Sequence, residues 1–423
     1  MCQQHSGNAE SPSSELSSKN DSGTPLEPFP WDVGVFDAHC HPTDTMASIE
    51  SIPNMKARVL TVMSTRSQDQ ELVSDIASRH GLQEDKDITI PSDPLSENRL
   101  IPCFGWHPWF SYQLYDDLSP KPTYDGTSSG KISHYDEVLA PSPSSKDVSF
   151  SEGLPDPRPL SEFLRETRSL LEKHPLALVG EVGLDKAFRL PQNWTSTYET
   201  QRDDGLTPGG REGRQLSLHR VRMPHQATVL QAQLRLAGEM GRAVSVHGVQ
   251  AHGIVYDTIS QLWKGHEKKV TSRKEQKQIA KGAENFSSSS EDESEDESYV
   301  GSSTGKKPKK LSPKPYPPRI CLHSFSGQAE SVKPYLHPSL PAKIFFSFSI
   351  VINWGTGGGD KTEEVIRALP DDRILAESDL HTAGEQMDQY LEEVHRKICE
   401  IKGWELRNGV EQLSRNYREF IFG

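Results

Sequence analysis

The chain has no C-x-x-C and no other close pair of cysteines: its five thiols, Cys2, Cys40, Cys103, Cys321 and Cys399, lie far apart. That argues against a structural zinc cluster and a disulfide framework, so reduced, structural thiols in an intracellular compartment are expected. Also missing is any apolar run near the ~18 residues that a membrane span needs. The first ten residues, M-C-Q-Q-H-S-G-N-A-E, show no basic stretch leading into an apolar one, so no secretory leader is expected. The expected location is the cytoplasm, the nucleus or both, with no membrane partner. Surplus positive charge is absent too. The net charge of -13 argues against a globally basic nucleic-acid binder, although a metal site could replace a basic surface. Apolar residues are scarce at 33%, or about 40% with glycine added against the usual 45–50%. Part of the chain is therefore expected to stay unpacked.

Composition shows where. Residues 1–30 are Ser-, Asn-, Glu- and Pro-rich and read as a disordered arm. Residues 31–423 read as one domain interrupted at about 112–158, 188–220 and 264–318 by segments too long and polar for ordinary connections. The third carries S-S-S-S-E-D-E-S-E-D-E-S at 287–298 and K-K-P-K-K at 306–310. The acidic block is a candidate kinase target and the basic block a candidate nuclear-import signal. All three segments are expected to be disordered.

What remains, about 260 residues, alternates short β-branched or apolar runs with amphipathic stretches. Strands are predicted near 33–37, 58–63, 100–105, 176–181, 243–247, 319–323, 343–348 and 373–377, and helices near 68–80, 160–173, 224–240, 254–263, 328–336, 361–369 and 386–401. Eight strands alternating with helices in about 250 residues is the pattern of a (β/α)8 TIM barrel, an α/β fold whose functional residues sit at the C-terminal ends of the strands.

Those ends are where the chemistry lies. V-G-V-F-D-A-H-C-H-P at 33–42 places His39 and His41 two apart on one face of an extended backbone. A chain with 16 histidines should show about 0.6 such pairs by chance, so the pair acquires meaning only from what joins it. Glu181 follows strand four, His247 strand five, His323 strand six and Asp379 strand eight. Imidazoles and carboxylates together suit zinc, manganese or another divalent first-row ion, and six ligands suit two ions sharing a carboxylate.

These pieces resemble a family, the TatD-like metal-dependent deoxyribonucleases, whose barrel is of the amidohydrolase type. The resemblance rests on F-D-A-H-C-H-P at 36–42, G-W-H-P at 105–108, G-E-V-G-L-D at 180–185, the helix at 226–237 leading to V-S-V-H, L-H-S-F-S-G at 322–327, D-R-I-L-A-E-S-D at 372–379 and R-N-Y at 415–417. It implies that His39, His41 and Asp379 hold one ion, that His247 and His323 hold the other, and that Glu181 bridges them. Two divalent ions, zinc, magnesium or manganese, are the implied cofactors. His107 is implied to lie near the substrate phosphate and Asp185 to support the site, the plain reading of Asp185 being a turn or helix cap. Two departures mark this chain. Where the family commonly has H-x-R after strand five, it has His247-Gly248-Val249, and where E-T-D-x-P is common after strand eight it has E-S-D-L-H, adding His381. The long insertions resemble a diverged eukaryotic branch, some of whose members are named for binding a subunit of the anaphase-promoting complex.

The leading expectation is a metal-dependent hydrolase of phosphodiesters, a deoxyribonuclease, with Asp379 and Glu181 as catalytic carboxylates. One alternative is a small-molecule amidohydrolase; many of those bridge their metals with a carboxylated lysine at strand four, where this chain has Glu181 and where Lys186 is misplaced. The other is a barrel kept as a protein-interaction scaffold, with the insertions as docking segments.

Overall fold

A computed structural model describes residues 27–84, 88, 98–145, 148–270, 313–355 and 357–423. Eight strands form one sheet, entirely parallel and in sequence order: β1 Phe36–Cys40, β2 Val59–Met63, β3 Leu100–Phe104, β4 Leu178–Asp185, β5 Val244–Val249, β6 Arg319–Leu322, β7 Lys343–Phe348 and β8 Ile374–Ala376. Almost every strand residue is buried, because one face packs on the helices and the other fills the barrel. The sheet curls until its ends meet. Asp379 N–H donates to His39 O (3.0 Å) and His41 N–H donates to Leu380 O (2.8 Å). Beneath them Asp37 accepts from Ser378 N–H and Oγ–H at 3.0 and 2.5 Å.

The predicted strands and helices fall close to the observed ones, with three differences. β1 begins at Phe36 and not 33, so His39 lies within the strand and His41 just beyond it. β4 extends to Asp185, which puts Glu181 in mid-strand; a register shift against β5 between Val179 and Val182 accompanies this placement. The third difference is the helix Leu406–Phe422, in which only R-N-Y was noticed. Its Tyr417 stacks on Phe36 (4.7 Å, 12°) and hydrogen-bonds Thr61. With Phe420 and Ile421 it joins Met63, Cys103, Cys321, Phe345 and Leu375 in a cluster that floors the barrel interior. Among the outer helices, Leu160–Lys173 buries Leu160, Phe163 and Leu171 as its apolar stripe predicts.

The segments 112–158 and 188–220 require a correction. Both were expected to be disordered, and both are folded where described. A helix over Ser128–Val138 leads into Leu139–Ala140, which pairs antiparallel with Arg220–Val221 and so zips the two insertions together. Tyr112, Tyr135, Val138, Leu139, Phe150, Leu154, Leu190 and Val221 form a separate small core, in which each fully buried apolar side chain contributes about 1.5–3 kcal/mol. This cap is tied to the barrel mouth. Thr207 N–H donates to Asp44 O, the Thr207 hydroxyl to Thr43 O, and buried Arg66 to Pro208 O and Asp44.

The acidic and basic runs at 287–298 and 306–310, and most of the N-terminal arm, lie outside the described residues. Cys40, Cys103, Cys321 and Cys399 are free and buried, and Cys40 turns its thiol toward Thr61 O, away from its histidine neighbours. Among the described residues no helix is long and apolar enough to cross a membrane.

Candidate metal centre

At the C-terminal mouth of the barrel, Glu181 is surrounded by imidazoles. Its Oε1 lies 2.8 Å from His247 Nδ1, 2.8 Å from His323 Nε2 and 3.0 Å from His107 Nε2. Its Oε2 lies 3.3 Å from His41 Nε2 and 3.5 Å from His39 Nε2. Asp379 completes the cluster, with Oδ1 3.5 Å from His41 Nε2 and 3.8 Å from His39 Nε2. All seven side chains are buried. Within this cluster His39, His41 and Asp379, then His39, Glu181 and His323, then His107, Glu181 and His247 form three groups whose ligand atoms lie within 4.8 Å of one another. The strands bring together every residue named from the sequence as a ligand.

The outward-facing nitrogens show which rings are ready to accept a cation. His39 Nδ1 is engaged by Ser245 Oγ (2.8 Å), and His247 Nε2 faces Asp185 Oδ2 (3.1 Å). A carboxylate only accepts, so His247 Nε2 donates to Asp185, which leaves Nδ1, the nitrogen that faces Glu181, as the one that could bind a cation. His107 is wired the opposite way. Its Nδ1 accepts from Trp109 N–H (3.2 Å), and burial holds the ring at a pKa of about 4, so it is neutral with its hydrogen on Nε2. It is therefore a donor to Glu181. Four imidazoles and two carboxylates remain with donor atoms aimed at one another, a set that suits divalent first-row ions.

Asp185 combines both readings given to it. Its Oδ1 accepts from the N–H groups of Ala187 and Phe188, a turn cap, while Oδ2 accepts from His247 and from Trp109 Nε1 at 2.6 Å. Burial works to raise its pKa, but these hydrogen bonds outweigh it and hold the carboxyl well below the usual range. His107 and Asp185 both point into the protein and neither lines the open cleft beside the centre.

Residues 36–422 match the family model described as TatD related DNase. The chain belongs to that family. It is 35% identical over 387 residues to Cut9-interacting protein scn1 of Schizosaccharomyces pombe, covering 92% of this chain and 98% of that one. It is 26% identical over 350 residues to an uncharacterized deoxyribonuclease of Saccharomyces cerevisiae, covering 81% and 82% of the two chains. The crystal structure of an uncharacterized amidohydrolase from Saccharomyces cerevisiae superposes with a TM-score of 0.51 at 14% identity, over 93% of this chain and all of that one, a likeness of fold. The chain thus has a TatD-type hydrolase barrel with buried groups that could hold metal.

Several members of the site went unnoticed in the sequence. Asp37, pushed up to about 7 by burial, accepts from His39 N–H and fastens β1 to Ser378. Glu377 is buried behind His323, taking Ser324 N–H and Oγ–H on Oε1 while Oε2 has no partner. Ser245, within β5, engages His39 Nδ1 through its hydroxyl. Asp37 and Glu377 sit two residues before His39 and Asp379, and that i, i+2 spacing was the available signal.

Proposed function

We propose that this chain is a divalent-metal-dependent phosphodiesterase acting on DNA, with two ions held by His39, His41 and Asp379, by His247 and His323, and by Glu181 between them. The observation that carries the reading is the inward convergence of four imidazoles and two carboxylates, with no lysine or arginine among them. Bound ions would supply Lewis acidity toward a phosphoryl oxygen and acidify water. Asp379 is the proton acceptor. Burial alone would raise its pKa, but His41 and the neighbouring imidazoles outweigh burial and keep it below the ordinary carboxylate range, ionised and able to take a proton. His107 and Asp185 act as positioning residues, the first donating to Glu181 and the second fixing the tautomer of His247.

Metal analysis of the purified protein beside a DNA-cleavage assay tests this. Close to two divalent ions per chain are expected, and His247→Ala with His323→Ala should remove about one. Two ions left in that double variant refute the allocation of ligands. Failure of the wild type to cleave DNA with zinc, manganese, magnesium or cobalt defeats the hydrolase reading.

A second reading is favoured by one observation, the name of the Schizosaccharomyces pombe relative as a Cut9-interacting protein. On that reading the barrel is an interaction scaffold whose insertions dock a protein partner such as a subunit of the anaphase-promoting complex. Deleting 271–312 and comparing partner capture with DNA cleavage separates the two: capture lost with cleavage kept assigns partner binding to that segment.

A further inference from the structure

A cleft of about 460 Å³ leaves the centre at His247, His323 and Asp379 and runs outward between the segments that follow β5, β6 and β7. Its wall is mostly neutral and rich in hydrogen-bonding groups, including Gln250, Ser324, Ser326, Gln328 and Ser331. Among the described residues, the one lining side chain of fixed positive charge is Lys361, in the first turn of the helix Gly359–Ala368. Its Nζ donates to Ser326 O, which ties the ammonium to the cleft wall. The cleft is also costly to build. Among the described residues four non-glycine residues have positive φ, and three of them, Gln250 (51°), Ser324 (41°) and Asp379 (54°), line it. Backbone of this kind persists where surrounding structure enforces it, and it gathers at ligand sites. Gly248 lines the same cleft, and an added Cβ there would make only ordinary van der Waals contact, 3.7 Å from His252 Nδ1 and Val255 Cγ2.

We propose that Lys361 binds the non-bridging oxygens of the backbone phosphate next to the scissile one, doing from the β7 side the work of an arginine that β5 lacks at Val249. The inference rests on the phosphodiesterase reading and deepens it. A substrate with neighbouring phosphates enters along the cleft, its reacting diester at the centre and the next phosphate on Lys361, where serine and glutamine groups add hydrogen bonds to a point charge. A diester without a neighbouring phosphate has nothing to offer Lys361.

Two substrates distinguish these cases: a single-stranded DNA oligonucleotide, and bis(p-nitrophenyl) phosphate, which has no flanking phosphate. Lys361→Ala should raise KM for the oligonucleotide about tenfold and leave kcat/KM for the small diester within about twofold. Val249→Arg added to Lys361→Ala should recover most of the loss. Equal losses on both substrates, or no loss on the oligonucleotide, overturn the proposal. Wild type inactive on both defeats the phosphodiesterase reading instead, so binding is measured separately, by fluorescence anisotropy of the labelled oligonucleotide without turnover. There Lys361→Ala should weaken binding and flatten the dependence of log K on log salt by about 0.7, the share of one single-strand phosphate. Unchanged affinity and slope overturn the proposal whatever the kinetics show.

Discussion

The two halves of the barrel mouth are built differently. Over the ends of β1 to β4 the cap sits down through Thr207, Pro208 and Phe188, and the carboxylates and the imidazole beneath it are engaged: Asp44 by Arg66 and His381, Asp185 by four donors, His107 by Trp109 and Glu181. Over β5 to β7 the mouth opens into the cleft, and groups are left waiting: His323 Nδ1 and Glu377 Oε2 have no hydrogen-bond partner, although they lie in the same neighbourhood. An unsatisfied buried group usually costs about 1–3 kcal/mol, and the capped half carries such groups too, at Thr43 Oγ1 and Gln70 Oε1; what marks the open half is that its unpartnered atoms belong to an imidazole and a carboxylate. The candidate ligands straddle the two halves: His39, His41 and Glu181 lie under the cap, and His247 and His323 face the cleft.

The largest expected effect concerns Asp379, where the halves meet. Asp379→Asn keeps size and a coordinating oxygen but removes basicity, and it should reduce metal-dependent DNA cleavage by about 10²- to 10⁴-fold in a protein that stays folded by circular dichroism. Equal cleavage would move the proton acceptor to Glu181 or His381.

Next comes the cap itself, which should fail in acid. His134 is buried against Tyr112 O (2.9 Å) and Thr123 Oγ1 (2.8 Å), and burial lowers its pKa from 6.5 to about 4. A folded-state pKa below the unfolded one means that the unfolded chain binds the proton more readily. The cap's stability is therefore complete above pH 6.5 and is lost as pH falls from 6.5 toward 4, by up to about 3 kcal/mol. His134→Gln should flatten that dependence in hydrogen exchange of residues 128–138, and an unaltered profile would assign the acid sensitivity elsewhere.

Smaller again is His107→Ala, which removes a donor from Glu181 without touching the cleft. A 10- to 100-fold loss in metal affinity is expected, read by competition with a chelator, with KM for DNA little changed; a KM effect alone would place His107 at the substrate. The smallest contrast is between two glycines. A Cβ at Gly183 would fall 2.1 Å from His247 O, whereas Gly248 has room. Gly183→Ala should therefore cost far more stability than Gly248→Ala, for which less than about 0.5 kcal/mol is expected. Similar melting temperatures would show that the open half is as tightly packed as the capped one.

This division also marks what the sequence made legible. Strands of a parallel barrel are short continuous apolar runs, so seven of the eight could be read to within about three residues, and the candidate ligands near their ends came with them. The cap could not be read, because its core unites Tyr112, Tyr135, Phe150 and Leu190 from two distant segments, and no local window of Ser-, Pro- and Asp-rich sequence shows that meeting. Ser245 meets His39, Glu377 meets Ser324 and Asp37 meets Ser378 only across long stretches of chain. His107 was located but not understood, since its role turns on which ring nitrogen carries hydrogen, a matter set by Trp109 N–H.

The seam between β8 and β1 has one further consequence. The peptide groups that close it belong to His39, His41, Asp379 and Leu380, so three candidate ligands, His39, His41 and Asp379, also fasten the last strand to the first. Whatever binds there binds the closed barrel and not an unzipped one, and by linkage stabilises closure by RT ln(1 + [L]/Kd), about 2.7 kcal/mol at a hundredfold excess over Kd. Occupancy of the centre is thus written into the exchange rates of two amides, those of His41 and Asp379. They form a latch whose tightness reports on its own cargo.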